Sequence, residues 1–172
     1  MQRGRRDDAR ALINQALDLA RQTDIGFHLL DRIYGTRILL ARNPTAALHA
    51  LEDAREAVHG PLETCPGCRI TFAVPAAIAA ARAGRLELAE EYTLQTAYLA
   101  DVVMRLPAWY AAHDEVLGHM ALVRGEGSAA ATSRFANAAE RFRNAGQPID
   151  ALRCERLAAG SGSDEARTVD TG

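Results

Sequence analysis

Small and apolar residues recur along this chain at the three- and four-residue spacings that place side chains on one side of a helix. Four segments share one mark, in which a small residue is followed four positions later by an apolar or aromatic one and three positions after that by another small one. The segments are Ala9/Ile13/Ala16, Ala47/Leu51/Ala54, a degraded Ala89/Thr93/Thr96 and Ala131/Phe135/Ala138. Their first residues lie 38, 42 and 42 positions apart. A fixed period of this size predicts a stacked array of helical repeats, an architecture that binds other molecules more often than it catalyses reactions.

Proline and glycine residues divide the chain into about eight predicted helices, and no alternating run of β-branched residues predicts a strand. We expect helices over residues 7–21, 26–42, 44–59, 69–83, 86–104, 107–125, 128–144 and 148–159. Pro75 lies inside the fourth of these, which predicts either a kink or a later start near Val74. The short loops predict antiparallel neighbours. Residues 1–160 are therefore expected to form one helical domain, and residues 161–172, which are poor in apolar side chains, a disordered tail.

A second mark, a large or apolar residue before a very small one, occurs in the first helix of each predicted hairpin. The pairs are Tyr34-Gly35, a weaker Ala76-Ala77, and Leu117-Gly118, and their second residues lie 42 and 41 positions apart. A small residue lets two helix axes approach closely. We therefore expect Gly35, Ala77 and Gly118 at the points where the two helices of a hairpin cross.

These marks resemble the tetratricopeptide repeat, whose helix–turn–helix join is matched best by residues 79–91. The resemblance implies an all-α fold, a right-handed stack of antiparallel helix hairpins. The usual repeat has about 34 residues. The longer period here is similar to that of the helical regions of large actinobacterial regulators, namely LuxR-type proteins with an ATPase module and cyclase–ATPase fusions. Residues 65–84 and 141–153 carry this likeness, which implies a role in transcription or signalling.

Composition and charge narrow the classes of partner. The 172 residues are 48% hydrophobic but only 5% aromatic, all 20 Lys or Arg positions are arginine, and the net charge is −2. Because the arginines are interleaved with acidic residues, we expect no direct nucleic-acid partner. No run reaches the roughly 18 apolar residues of a membrane span, and no apolar signal core follows the basic N-terminus. We therefore expect no membrane partner and a cytoplasmic location.

Cys65 and Cys68 enclose a Pro-Gly pair, and theirs is the only spacing in the chain with known chemistry. Two cysteines spaced in this way supply two zinc ligands in many sites, and His59, six residues earlier, is the candidate third ligand. The fourth ligand would be Cys154 or a water. At a helix start the same motif also suits a redox pair with a lowered thiol pKa. Two reduced thiols in a turn, without further chemistry, are the third interpretation, and all three remain open.

In a repeat array of this kind the first helices line a concave groove. Counting from the small marker residues, and adding the aromatic pair that opens the sixth helix, selects as candidate partner-binding residues Arg32, Thr36, Val74, Ile78, Trp109, Tyr110, Glu115 and His119. Such a mixed, partly apolar groove suits a helix or an extended peptide. Trp109 and Tyr110 are either anchors for that peptide or packing residues that hold the start of helix six against helix five.

The sequence contains no recognisable nucleophile motif, acid–base set or phosphate-binding loop, so we expect a non-enzymatic module that binds a protein or peptide. The alternative is a metal- or redox-responsive sensor domain centred on Cys65 and Cys68. The first helix looks like the second half of a repeat, which would expose the face carrying Leu12, Ala16 and Leu19. We expect either that the chain is a fragment of a larger protein or that this face is buried against a partner or, in a homodimer, a second copy.

Overall fold

The computed structural model describes residues 6–23, 26–57 and 65–169, which form eight α-helices, one π-helical segment and no strand. The α-helices are α1 (Arg6–Arg21), α2 (Phe27–Leu39), α3 (Pro44–Ala57), α4 (Pro66–Arg82), α5 (Leu86–Ala97), α6 (Pro107–Val123), α7 (Ser128–Asn144) and α8 (Pro148–Val169), and the π-helical segment π1 (Tyr98–Met104) continues α5. The all-α class predicted from the sequence is therefore confirmed. None of the described helices combines the length and the apolarity that crossing a bilayer requires.

α4 starts earlier than the sequence predicted. Cys65 is its N-cap residue, and the Cys68 amide donates a hydrogen bond to Cys65 Sγ at 3.2 Å. Pro66 occupies the first helical position, where its missing N–H leaves no intrahelical hydrogen bond unmade. Pro75 lies inside the helix, so the alternative start near Val74 is wrong. The early start places both cysteines at the N-terminus of α4.

α8 is longer than predicted. It runs to Val169, whereas the sequence analysis ended it before Gly160. That glycine does not adopt the left-handed conformation that Gly84 adopts after α4. A glycine inside a helix costs about 1 kcal/mol relative to alanine and does not by itself end the helix. The tail predicted to be disordered over 161–172 is therefore helical as far as Val169, and residues 170–172 lie outside the described residues.

The helices pack as successive hairpins. α2 packs against α4, and α4 against α6, so these three first helices lie side by side. α3 packs against α2 and α4, α5 packs against α4, and α7 packs between α6 and α8. One apolar core is shared by the helices from α1 through α6, and two smaller clusters are shared by α6, α7 and α8. The right-handed winding and the likeness to tetratricopeptide repeats stay predictions.

The mark that repeats in the second helices lies on their inner sides. Leu51 and Phe135, the central residues of two marks, are fully buried, and so are the small residues Ala54, Ala89 and Ala131. A residue four positions before or three positions after another lies on the same helix face. The mark therefore identifies the side of each second helix that packs into the core.

Gly35 and Gly118 are both sites of close approach, but they face different kinds of helix. A Cβ at Gly35 would lie 2.2 Å from the carbonyl oxygen of Thr71 on α4, which is the next first helix. A Cβ at Gly118 would lie 2.5 Å from the ring of Phe135 on α7, its hairpin partner. The predicted hairpin crossing is therefore wrong for Gly35. The 41-residue step joined two different positions, and the residue two full periods of 42 after Gly35 is His119.

Candidate functional site

The start of α4 holds the chemistry-bearing pair Cys65 and Cys68. Their Sγ atoms lie 3.0 Å apart, and both residues are free cysteines. The N-cap residue Cys65 is exposed, whereas Cys68 in the first turn is half-buried. A spacing of three residues at the start of a helix brings the two side chains to the same side of the turn. The structure thus places two thiols in contact, one of them open to solvent.

The two thiols differ in acidity. Hydrogen bonds from the Cys68 thiol and the Cys68 amide lower the pKa of Cys65, and the positive charge of Arg32 acts in the same direction. Burial and the contact with Cys65 raise the pKa of Cys68. The third cysteine, Cys154, is fully buried, and burial raises its pKa to about 12. Cys65 is therefore the thiol that forms a thiolate most readily.

The described residues supply only two of the ligands that a zinc site needs. Among them, no group of three or more His, Cys, Asp or Glu side chains is arranged to hold a metal ion. His59, the predicted third ligand, lies outside the described residues. Cys154, the predicted fourth ligand, belongs to the core cluster of α6, α7 and α8. A zinc site at Cys65 and Cys68 therefore stays a prediction.

An ion pair that the sequence analysis did not predict lies one residue beyond Cys68. Arg69 Nη1 on α4 is 3.1 Å from Asp31 Oδ1 on α2, and Arg69 Nε donates to Gln95 Oε1 on α5 at 2.9 Å. The Arg69 guanidinium also lies over the ring of Phe72, 5.0 Å from its centroid. The two charged side chains are only 9% (Arg69) and 0% (Asp31) exposed. We call Asp31–Arg69 the N-terminal ion pair, and it ties α2 to α4.

A second ion pair ties α6 to α8. Arg153 on α8 donates from Nε to Glu115 Oε1 at 2.7 Å and from Nη2 to Glu115 Oε2 at 2.6 Å. Arg153 also pairs with Asp150 and lies 5.9 Å from the ring centroid of Phe142. The Glu115 side chain is 3% exposed, whereas that of Arg153 is 46% exposed. We call Glu115–Arg153 the C-terminal ion pair.

This second pair removes one end of the predicted groove. Glu115 is held by Arg153, and His119 packs edge-to-face against Phe135, with 5.0 Å between ring centroids. Both residues are buried, so neither presents its side chain to a partner and the groove prediction is wrong for them. The spacing within α6 could not show this, because the burial of Glu115 depends on Arg153 of α8 and that of His119 on Phe135 of α7.

The other predicted groove residues lie on α2, α4 and α6. Arg32 and Thr36 are exposed, and the half-buried residues that pack against the core are Val74, Ile78, Trp109 and Tyr110. Trp109 also contacts the cluster of α6, α7 and α8. The contacts of Trp109 and Tyr110 are those expected of packing residues, and their use as peptide anchors stays a prediction.

A row of exposed apolar residues lies elsewhere, on α5 and π1. Leu94, Tyr98 and Val102 are 73%, 59% and 60% exposed. They are spaced by four residues, so they lie along one side of this continuous helix. The opposite side of α5, which includes Tyr92 and Thr96, is buried. We call Leu94, Tyr98 and Val102 the apolar row. Their spacing is visible in the sequence, but their exposure depends on which neighbours cover α5.

The face of α1 is divided in a way that the sequence analysis did not foresee. Leu12 and Leu19 are exposed, as expected for a surface that meets a second copy. Ala16 instead packs against the core together with Ile13. The candidate self-association surface is therefore reduced to the two leucines, and the homodimer stays a prediction.

Three arginines gather at a cleft of about 420 Å³ between α1, α2 and α3. Arg10 and Arg42 both pair with Asp7, at 3.1 and 2.8 Å, and Arg37 pairs with Asp53 at 3.2 Å. Each guanidinium already has an acidic partner, and two of them share Asp7. Ion pairs within α1 and between neighbouring segments therefore explain this clustering.

No protein-family model, curated protein or solved structure matches the chain. The apolar row and the cysteine pair are therefore the features from which we infer a function.

Proposed function

We propose that the chain is a non-enzymatic helical-repeat module that binds a protein partner, and the apolar row is the observation that carries this proposal. Monomeric soluble proteins rarely expose contiguous apolar patches larger than a few hundred Å², and larger patches usually mark interaction sites. Leu94, Tyr98 and Val102 occupy three successive turns of α5 and π1. A partner that covers them gains apolar burial along a line, which suits a helix laid against α5 and π1.

The charges beside the row favour one kind of partner. α5 carries Glu87, Glu90 and Glu91 and no basic residue, and π1 carries Asp101. Of these, Glu90 is paired with Arg124 at 2.8 Å and Glu91 lies 3.8 Å from Arg55. Glu87 and Asp101 are exposed on either side of the row, and Asp101 lies 3.8 Å from His113 Nδ1. Complementary charge speeds association and fixes orientation. We therefore propose an amphipathic partner helix with apolar residues in its centre and basic residues at its ends.

A selection from a displayed peptide library on the purified protein tests this function. We expect enriched peptides to carry apolar residues at positions i, i+3 or i+4, and i+7, with basic residues beside them. The variant Leu94→Asp/Val102→Asp should weaken binding of such a peptide by at least about tenfold, because two anchors of the row are lost.

The matched control is Leu12→Asp/Leu19→Asp, which changes two exposed leucines on α1 and should leave peptide binding unchanged. Equal binding by the parent and the Leu94/Val102 variant would contradict the proposal. Loss in the α1 variant alone would move the binding surface to Leu12 and Leu19. A dimer that dissociates only in the α1 variant, measured by sedimentation, would support the separate proposal of self-association through that face.

A place in a transcription or signalling system rests on the resemblance to the actinobacterial regulators alone. We propose it on that basis, together with a protein rather than a nucleic acid as the direct partner. A binding assay with duplex DNA at low and high salt checks the second part, since weak, salt-dependent association is the signature of phosphate contacts.

A further inference from the structure

We propose that Cys65 and Cys68 form a thiol–disulfide exchange site, which reacts with the disulfide bond of a co-reactant and closes an intramolecular disulfide at the start of α4. The inference is independent of the apolar row and of partner binding. It rests on the contact between the two sulfurs, on their unequal exposure and on the helix start that holds them.

The first requirement is that the two sulfurs can bond without moving the fold. Their separation is 3.0 Å, and a disulfide has a sulfur–sulfur distance of about 2.05 Å. The change is about 1 Å and falls within rotations of two side chains in one helical turn. Both cysteines lie in the same short segment, so closing the bond leaves the packing of α4 against α2 in place.

The second requirement is that one sulfur can be reached first. Cys65 is exposed, and its Sγ accepts a hydrogen bond from the Cys68 amide at 3.2 Å. The Cys68 side chain is half-buried. Gly67 between them lies near the end of π1, since a Cβ there would be 3.6 Å from Met104 Cε. An anion on Cys65 is favoured by the exposed amides at the start of α4. This arrangement makes Cys65 the attacking sulfur and Cys68 the resolving one.

The reaction balances with a disulfide, R–S–S–R, as the oxidant. The Cys65 thiolate attacks one sulfur of R–S–S–R, the sulfur–sulfur bond of the co-reactant breaks, and one thiolate leaves with the electron pair. Cys68, after losing its proton to solvent, attacks Cys65 Sγ in the mixed disulfide and releases the second thiol. In total, two cysteine thiols are oxidised to one disulfide and R–S–S–R is reduced to two thiols.

Exchange with glutathione disulfide tests the site in the full-length chain, and mass spectrometry identifies each product. The parent should lose two hydrogen atoms and carry no adduct once the exchange is complete. Cys68→Ser should stop at a stable mixed disulfide on Cys65. Serine is a good N-cap residue, so Cys65→Ser keeps the start of α4. This variant cannot close the disulfide and should form a mixed disulfide on Cys68 only slowly. Circular dichroism melting curves confirm that the variants are folded.

Rates separate this site from an ordinary pair of surface thiols. We expect Cys65 in Cys68→Ser to react at least about tenfold faster than Cys68 in Cys65→Ser, because only Cys65 is both exposed and favoured as an anion. Cys154, which is fully buried, is the internal control and should stay unmodified in all three proteins. A disulfide-bonded peptide used in place of glutathione disulfide shows which source of the disulfide reacts faster.

Three results would overturn the proposal. The parent fails to close the disulfide with either co-reactant, or the two single variants react at equal rates. In the third, the reduced parent binds one zinc ion per chain when titrated with Zn²⁺ alone, and the bound ion blocks exchange. That last result would establish the metal-binding alternative in place of the redox one.

Discussion

The N-terminal and C-terminal ion pairs occupy equivalent places in two repeats. Each ties one first helix to a later one, but the two pairs differ in burial and in hydrogen-bond geometry. Asp31 and Glu115 are 84 positions apart, as are Arg69 and Arg153, and 84 is two periods of 42. Each arginine comes from the next first helix and reaches back by 38 residues. At the equivalent positions of the repeat between them stand Ala73 and Ala111, both fully buried.

The two pairs differ in the burial of their side chains and in the hydrogen bonds between arginine and carboxylate. Arg153 engages both oxygens of Glu115, but nearly half of its side chain is in water. Arg69 and Asp31 are almost fully buried, yet Arg69 divides its donors between Asp31 and Gln95. Asp31 Oδ2 has no hydrogen-bond partner within the described residues. Burying a charge costs free energy that only good geometry recovers. Removing one residue of the N-terminal pair should therefore destabilise the fold more than removing one residue of the C-terminal pair.

The largest expected losses of stability come from removing the arginine of each ion pair. Arg69→Ala leaves Asp31 buried without a counter-charge and should lower the free energy of unfolding by about 3–5 kcal/mol. Arg153→Ala should cost less, about 2 kcal/mol, because water can reach Glu115 through the space that the exposed arginine leaves. Urea unfolding measures both. The control Arg85→Ala removes an exposed ion pair of 3.8 Å with Glu52 and should cost under about 1 kcal/mol. Equal losses in all three variants would contradict the distinction.

Acid should lower the stability of the protein through His119, the residue two periods of 42 after Gly35. Burial lowers the pKa of His119 from its ordinary value of 6.5 to about 4, and the charges of Arg82 and Arg153 act in the same direction. Between these values the unfolded chain binds a proton that the folded chain does not, so stability falls as the pH drops from 6.5 towards 4. The loss attributable to His119 should approach about 3 kcal/mol.

The variant His119→Leu should lose this part of the pH dependence while keeping that of the carboxylates. Urea unfolding at a series of pH values, compared between the parent and the variant, gives the difference directly. Parallel curves for the two proteins over this range would mean that His119 takes up its proton in the folded state as readily as in the unfolded one.

Substituting the glycines at close helix contacts should destabilise the protein by a smaller amount. Gly35→Ala places a Cβ against the backbone oxygen of Thr71, which cannot rotate away, and should cost about 2 kcal/mol. Gly118→Ala meets the Phe135 ring, which can shift, so its cost should be lower. Gly160→Ala is the matched control because it is helical and, within the described part of the chain, no atom beyond its own helix backbone lies within 4 Å of the new Cβ. Thermal melts should place Gly160→Ala at or above the parent, and a Gly35→Ala protein that melts like this control would refute the crossing.

The smallest change is expected when the N-terminal ion pair is made to resemble the middle repeat. Asp31→Leu/Arg69→Met replaces both charges by apolar side chains of similar length, as Ala73 and Ala111 already replace them one period later. Such replacements are often neutral or stabilising. We expect a free energy of unfolding within about 1 kcal/mol of the parent, measured by urea titration. A loss as large as that of Arg69→Ala alone would show that the pair contributes more than charge neutralisation.

The parts of the fold set by local signals were predictable from the sequence. Ser128 and Asn144 bound α7 as expected, and Pro107 opens α6, because proline and glycine fix helix boundaries through the backbone alone. Gly160 was misjudged because the same residue type either ends a helix or continues it, depending on its backbone conformation. Cys65 as an N-cap residue was missed because cysteine is not among the residues that usually cap helices.

The parts that depend on which helices meet were not predictable in the same way. Asp31 and Arg69 look like surface charges until α2 and α4 are known to pack together, since neither has an opposite charge at helical spacing that explains it. The period itself held the signal, because applying 42 residues to the first helices aligns both ion pairs and separates Gly35 from Gly118. The apolar row was likewise visible as a spacing, but only packing showed that it faces outward.

A pair of double-mutant cycles tests most directly the claim that successive first helices are tied by period-related ion pairs of unequal burial. One cycle uses Asp31→Ala and Arg69→Ala, and the other uses Glu115→Ala and Arg153→Ala, each with its double variant, in urea unfolding. We expect favourable coupling in both cycles, about 2–3 kcal/mol for the N-terminal pair and less for the C-terminal pair. Coupling near zero in both cycles, or a larger value for Glu115 and Arg153, would contradict this claim.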